Sequence, residues 1–308
     1  MQFDEYLRLC REKSHLTQEQ LAHGLYAYDD IGFDGIDTNT ISRWERGASS
    51  PKLPRQVGII KYFQTLTDTA LPCWEKYSTQ EAEALICETG IHNLLGKSRE
   101  LILTYPSSTM QADDLSVSQL RGSRMIDTVI DIHKELDGSF HSRFKEVTPD
   151  QLKSWAVHNA NSFSHCEYKG QFFGLLFVLR LKPKSFEKMM RLEIREKDLK
   201  EEDFASFEEM GSSFILSFFA MNDKVASMLF IRYYAHLITH QKSIESVGVA
   251  MIMKDAQKLL KNMNLHPCAS LGLNEESTIH TWRETLPNFL ASEYVVKMIL
   301  SKQSCPEA

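Results

Sequence analysis

The most chemically suggestive stretch lies near the N-terminus, in Thr38-Asn39-Thr40-Ile41-Ser42-Arg43-Trp44-Glu45-Arg46. Wound as a helix, it puts Ile41 and Trp44 on one inward face at i, i+3. Thr38, Asn39, Ser42, Arg43 and Arg46 then share the outward face at spacings of three or four. Short polar side chains and arginines on an exposed helix can read base edges in a major groove. Asparagine pairs bidentately with adenine, and arginine does the same with guanine. Local charge agrees. Between residues 43 and 61, Arg43, Arg46, Lys52, Arg55 and Lys61 stand against Glu45 alone, on a chain whose net charge is −6. A small basic face on an acidic chain suits a DNA reader that must release wrong sites.

Other chemistry is thin. The sequence holds no Walker loop, no Gly-x-Ser-x-Gly, no His-Glu-x-x-His and no calcium loop. Its eleven histidines do not cluster at ligand spacing, and His236 and His240 fall on or just past an expected strand. Six cysteines (Cys10, Cys73, Cys87, Cys166, Cys268, Cys305) are scattered singly with no CxxC. That predicts reduced thiols and no metal site, and no catalytic residue is assigned.

The elements that would position the outward face are helices. Tyr6, Leu7 and Cys10 give a first helix. Thr17 with Gln20 three residues on forms a capping box that opens a second, through Leu21 and Leu25. Tyr26–Ile36 breaks the periodicity with two glycines and three aspartates. A third helix starts at Asp37 or Thr38 and stops at Gly47, the expected residue past a helix end. Val57, Ile60 and Phe63 support a fourth. Helical signals continue to about 145, with Met125, Val129, Ile132 and Leu136 as one apolar stripe, suited to core packing or dimerisation. Tyr105–Ser118 reads as a linker.

From about 146 strands appear. Thr148-Pro149-Asp150-Gln151 starts a helix, and Phe172–Leu181 is apolar on both alternating faces, as in a strand buried on both sides. Phe214–Met221 and Met228–Ile238 read as a hairpin turning at Asn222-Asp223. Val249, Met253, Ala256, Leu260 and Met263 space as a long helix. A short strand at Cys268–Leu271, a helix near Ser277–Glu284 and a last strand, Phe289–Leu300, complete an α/β or α+β domain. Lys188–Glu209 reads as a solvated amphipathic helix.

Leu16-Thr17-Gln18-Glu19-Gln20-Leu21-Ala22 followed by Thr40-Ile41-Ser42-Arg43-Trp44-Glu45-Arg46-Gly47 resembles the helix-turn-helix of the lambda-repressor, Cro and XRE family, over about residues 3–65. The resemblance implies a phosphate contact for Gln18 and base-edge contacts for Thr38, Asn39 and Arg43. Thr40, Ser42 and Arg46 lie on the same reading helix. Tyr26–Ile36 is an insertion relative to the short turn usual in that family. One such unit reads half an operator, so the implied partner is palindromic double-stranded DNA bound by a homodimer.

Glu245-Ser246-Val247-Gly248-Val249-Ala250 is similar to the pyrophosphate loop of GNAT-type acyltransferases, and the element order over 146–308 is similar too. The resemblance implies that the amides of Val247, Gly248, Val249 and Ala250 cradle the diphosphate of acetyl-CoA or another acyl-CoA at a helix N-terminus. Glu245 stands where that family has glutamine or arginine. Thr281 stands where it has the tyrosine that protonates the departing thiolate. Binding without efficient transfer is what these departures imply.

A chain of 308 residues exceeds one average domain, and its 43% apolar and 25% charged composition is that of a folded protein. The expected organisation is α+β and multi-domain. An all-α helix-turn-helix domain over 1–68 and a helical linker or dimerisation region over 69–145 precede a GNAT-like α/β domain with a central mixed sheet over 146–308. No apolar run reaches the ~18 residues of a membrane helix, and the N-terminus lacks a signal-peptide pattern, so a cytoplasmic location without a membrane partner is expected. Function is then expected to be sequence-specific transcription regulation, the C-terminal domain sensing a small effector or coupling the dimer. The alternative is an acetyl-CoA-dependent N-acyltransferase with a regulatory helix-turn-helix.

Overall fold

The computed structural model describes residues 1–90, 110, 114–139, 147–251, 256–272 and 278–300. In chain order come α1 (Phe3–Lys13), α2 (Gln18–Tyr28), α3 (Thr38–Glu45), α4 (Leu53–Leu66), α5 (Thr79–Gly90), β1 (Leu115–Gln119), α6 (Ile126–Ser139) and α7 (Pro149–Val157). Next are β2 (Ser162–Tyr168), β3 (Gln171–Leu181), α8 (Pro183–Met190), β4 (Gly211–Ala220), α9 (Asp223–Thr239) and β5 (Ile244–Met251). Last are α10 (Ala256–Asn262), β6 (His266–Gly272), β7 (Thr278–Thr285), α11 (Leu286–Leu290) and α12 (Glu293–Leu300). The α+β class holds. Contacts divide the chain into a helical unit of Met1–Leu94, Tyr234–Lys242 and Leu286–Ala308, and a sheet unit of Leu95–Tyr233 and Ser243–Thr285. This division cuts across the sequence ranges 1–68, 69–145 and 146–308.

The helical unit is built as its residue types dictate. Thr17 and Gln20 close the capping box at the head of α2, and Asp37 caps α3. Tyr6, Leu7, Leu21, Leu25, Ile41, Ile59, Ile60 and Phe63 are each fully buried in its core. The expected last strand, Phe289–Leu300, is instead α11 and α12. Pro287 sits in the first turn of α11, and the Ser292 carbonyl accepts from the Val296 amide at 2.9 Å to start α12. Val295, Val296, Met298, Ile299 and Leu300 are all buried. Only Glu293 and Lys297 are exposed along it, so the polar stripe is narrow and its β-branched residues read as strand.

Among the described residues the sheet unit carries seven strands in the order β1-β2-β3-β4-β5-β7-β6. Every adjacent pair is antiparallel except β4 and β5. β3 is buried on both faces, as its double apolar alternation requires. Parallel neighbours need a crossover, and α9 supplies it. Met228–Ile238, expected as the return strand of a hairpin, therefore belongs to a helix. Val225, Leu229, Tyr233 and Leu237 are buried at i, i+4, i+8, i+12, and Ala226, Phe230, Tyr234 and Ile238 are buried one residue on. Two buried stripes erase the amphipathic signal.

That exchange displaces the downstream elements. The helix expected from Val249 to Met263 is strand β5 and then, after residues 252–255, α10. The helix expected near Ser277–Glu284 is strand β7, whose Thr, Ile and Trp content suits a pleated surface. Within the expected linker Tyr105–Ser118, Leu115–Ser118 belongs to β1, paired to β2; residues 105–109 and 111–113 lie outside the described residues. Lys188–Glu209 is the end of α8 and two single 3-10 turns, not one helix. The Met125–Leu136 stripe contributes to the core through its first half: Val129 is fully buried with Leu152, Trp155 and Phe177, and Met125 packs against them. Ile132 is half-buried, and the side chain of Leu136 lies outside the described residues.

Candidate nucleic-acid interface

Helix α3 is fixed at both ends. The Asp37 carboxylate accepts from the Thr40 amide at 2.7 Å and from the Thr40 hydroxyl at 2.6 Å. The hydroxyl bond, then the amide bond, holds the Asp37 carboxyl below the usual range. At the other end Gly47, at φ +66°, takes the left-handed turn, its amide donating to the Trp44 carbonyl at 3.0 Å. Ile41 and Trp44 are buried. Thr38, Asn39, Arg43 and Arg46 are exposed together, as the sequence periodicity requires. Thr40 and Ser42 are half-buried, the first with its hydroxyl on Asp37 and the second with its carbonyl accepting from Arg46 Nε at 3.1 Å.

Behind that face lies a network that sequence spacing does not disclose. Glu45 is buried, and Arg11 of α1 donates Nε to Oε1 at 2.5 Å and Nη2 to Oε2 at 3.1 Å. Gln18, at the start of α2, donates its amide to Oε2 at 2.8 Å. Arg11 Nη1 also donates to the Leu16 carbonyl at 2.9 Å. Three helices are thus tied through one carboxylate. Gln18 is half-buried and gives one of its two amide hydrogens to Glu45. One sequence signal points to it: Glu45 is the lone acid in a basic stretch.

The insertion Tyr26–Ile36 is an ordered lobe. Phe33 is 1% exposed, and Gly58 of α4 has no side chain because a Cβ there would lie 2.9 Å from the Phe33 ring. Arg55 donates Nε to the Gly32 carbonyl at 2.8 Å and Nη2 to the Asp34 carbonyl at 3.0 Å. So one of the five cations between 43 and 61 is engaged in holding the insertion. Ile31 protrudes at 86% exposure.

In the sheet unit, β4 and β5 part. Their last pair is Ile215 with Val249. Beyond it β4 stays bonded to β3 through Ser217–Ala220, while Ala250 and Met251 stay bonded to β7. Ser217, Phe218, Val249, Ala250 and Met251 are half-buried in mid-sheet where neighbouring positions are buried. Edge N–H and C=O groups inside a sheet can receive an extended, amide-bearing chain. Residues 247–250 are not the expected turn into a helix. Val247, Gly248 and Val249 lie in a strand paired on both sides, and Ala250 pairs with Thr281. The Thr281 hydroxyl is fully buried and donates to the Met190 carbonyl at 2.6 Å. His236 and His240 lie at the end and just past the end of α9, not on a strand, with ring centroids 4.7 Å apart. Among the described residues no cluster of histidine, cysteine, aspartate and glutamate could hold a metal ion, and no helix is long and apolar enough to cross a membrane.

No family model matches the chain. Over 83 residues, 27% of the chain, it is 34% identical to an HTH-type transcriptional activator, BcrR of Enterococcus faecalis, and the match spans 36% of that protein's length. Among solved structures, FeeM, an N-acyl amino acid synthase from uncultured soil microbes, aligns with 58% of this chain and 94% of its own at 7% identity and a TM-score of 0.40. An N-acetyltransferase from Staphylococcus aureus Mu50 aligns with 56% of this chain and 98% of its own at 11% identity and a TM-score of 0.39.

Proposed function

We propose that this chain is a sequence-specific DNA-binding transcription regulator of the XRE type. The observation that carries the reading is α3, whose Thr38, Asn39, Arg43 and Arg46 are exposed together above the anchors Ile41 and Trp44. Asn39 and Arg43 would read base edges, and Gln18 would meet a phosphate with the amide hydrogen not held by Glu45. The 83-residue likeness to an HTH-type transcriptional activator supports it. The active form is a homodimer on a palindromic operator, since one reading helix covers one half-site. Selection of bound DNA from a random pool tests the reading. A palindromic site preferred over scrambled DNA by more than tenfold at physiological salt is expected, and a smaller preference overturns it.

The sheet unit is a GNAT-like effector-sensing module, a reading favoured by the parting of β4 from β5. Acyl-CoA is the ligand its resemblance supplies, and the fit is partial. An amide-bearing arm suits the parted strand edges. The diphosphate does not fit Val247–Val249, whose strand is paired on both sides in the sheet. Nor does it fit the head of α9, which carries Asp223 in its first turn and has the Asn222 side chain accepting from the Val225 amide at 3.0 Å. No transfer step follows, and a sensor is favoured over an acyltransferase. Calorimetry with acetyl-CoA beside an amine-acetylation assay separates the two: binding without turnover supports the sensor, and robust turnover overturns it.

A further inference from the structure

The six cysteines, single in sequence, do not all stay single in space. Cys10, in the last turn of α1, and Cys73, in the segment between α4 and α5, bring their sulfurs to 3.4 Å, with the Cys10 thiol directed at Cys73. Both are buried, Cys10 at 1% and Cys73 at 7% exposure. A second observation points the same way. Cys73 sits at φ +69°, the left-handed region that a residue with a Cβ enters only when its surroundings hold it there. Its neighbours are built around it: Trp74 is fully buried beside it, and Glu75 is ion-paired with Lys13, one turn from Cys10 on α1. The last turn of α1 thus carries Cys10, Arg11 and Lys13. Cys10 and Lys13 reach the Cys73–Glu75 segment, and Arg11 reaches Glu45 on the reading helix.

We propose that Cys10 and Cys73 are a redox-active dithiol, closed to a disulfide by a peroxide and coupled through Arg11 to helix α3. The electrostatics support the roles of the two sulfurs. The Cys10 thiol hydrogen bond, with the ammonium of Lys13, lowers the Cys73 thiol below its usual range despite burial. Burial, then the hydrogen bond to Cys73, pushes Cys10 well up. Cys73 is therefore the nucleophile and Cys10 the resolving thiol. The Cys73 thiolate attacks one peroxide oxygen and the O–O bond breaks. The departing oxygen takes a proton as water, and Cys73 becomes a sulfenic acid. The Cys10 sulfur then attacks the Cys73 sulfur, the S–O bond breaks, and a second water leaves with the Cys10 proton. Two thiols and one hydrogen peroxide give one disulfide and two waters. Contraction of the sulfurs from 3.4 Å to a bond of about 2.05 Å must be taken up by α1 or by the Cys73 turn. Arg11 moves with α1. The effect on DNA rests on the regulator reading above; the bond itself does not.

The test exposes the full chain to stoichiometric hydrogen peroxide, then alkylates and maps peptides without reduction. Exposed Cys268 serves as the internal control of oxidant access. A Cys10–Cys73 linked peptide, reversed by dithiothreitol and absent in Cys10→Ser and in Cys73→Ser, is expected. Wild-type protein in which Cys268 is oxidised while Cys10 and Cys73 remain separately alkylated overturns the dithiol, and this readout needs no folded variant. On a selected operator, oxidised protein should bind at least fivefold differently from reduced protein. Equal affinity of both forms overturns the coupling alone. Failure of both forms to bind any selected DNA, with the linked peptide present, overturns the regulator reading and its coupling and leaves the dithiol standing.

Discussion

Arg11 and Glu45, from the first and third helices, form a two-point ion pair at 2.5 and 3.1 Å behind the exposed face of α3. The side chains are 15% and 5% exposed, so water screens the pair little. A guanidinium fork matched to a carboxylate fixes orientation as well as distance. It sets how α3 is presented, because Trp44, next to Glu45, is the apolar anchor of the same turn.

Arg11→Ala should therefore lower the stability of the helical unit by about 1.5–3 kcal/mol, the range for a hydrogen bond to a buried charged group. Arg11→Lys should recover little, since one ammonium cannot reproduce the fork. Urea unfolding monitored by circular dichroism reads both. A wild-type midpoint for Arg11→Ala would mean that the pair does not hold α3.

On a selected operator, Arg43→Ala should cost ~1–3 kcal/mol and relax the preference at one base position. Gln18→Ala should weaken binding to all sequences alike, and it also removes a bond to Glu45. Comparing affinities across single-base operator variants distinguishes the two. Loss of discrimination in Gln18→Ala would reverse the assigned roles.

The pH dependence of the dithiol has a definite sign. Cys73 is lowered by the Cys10 thiol bond, whereas partial desolvation by its neighbours raises the exposed thiol of Cys268. Only the thiolate reacts, so Cys73 should gain reactivity at lower pH than Cys268 as pH is raised. Alkylation rates measured by peptide mass spectrometry from about pH 6 to about pH 10, a range that brackets the ordinary thiol value, give the two midpoints. The reverse order would contradict the assignment of Cys73 as nucleophile.

Legibility in the sequence obeys one physical rule. Caps are local, so Thr17–Gln20 and Thr148–Gln151 are legible from spacing alone, and each forms as read. Periodicity needs a broad wet face; α9 exposes only Asp223, and α12 only Glu293 and Lys297. Their buried valines, isoleucines and aromatics mimic strands, and reading α9 as a strand displaces β5 and β7 in turn. The outward face of α3 is legible because it is polar opposite an apolar one. The Arg11–Glu45 and Cys10–Cys73 relationships join residues 34 and 63 apart, and no local pattern encodes them.

The insertion should behave as a lobe pinned by one ring. Phe33→Ala removes a fully buried aromatic, a change that costs about 3–5 kcal/mol where the site cannot collapse. Hydrogen exchange should quicken over residues 26–36 and leave β3 and β4 unchanged. Gly58→Leu, which drives a side chain into Phe33, should do the same. Unchanged exchange in both variants would show that Arg55 alone holds the lobe.

Gly248 offers the sharpest separation of a packing role from a ligand role. Its place in a Gly-x-Ala stretch suggests a backbone kept bare for a diphosphate. Yet a Cβ at Gly248 would lie 2.7 Å from the Phe186 ring and 2.8 Å from the Met190 sulfur, both on α8. Both residues are buried in the core of the sheet unit. The missing side chain is thus explained by α8 resting on β5 at that point. Gly248→Ala should overpack this contact and destabilise the sheet unit by about 1–3 kcal/mol, with Phe186→Leu in the same chain restoring part of the loss. If acetyl-CoA binds, its affinity should be unchanged in Gly248→Ala at a temperature where that variant is folded. Calorimetry and thermal unfolding on the same samples read the two effects apart. A Gly248→Ala chain that melts like wild type but loses acyl-CoA would return the glycine to the ligand.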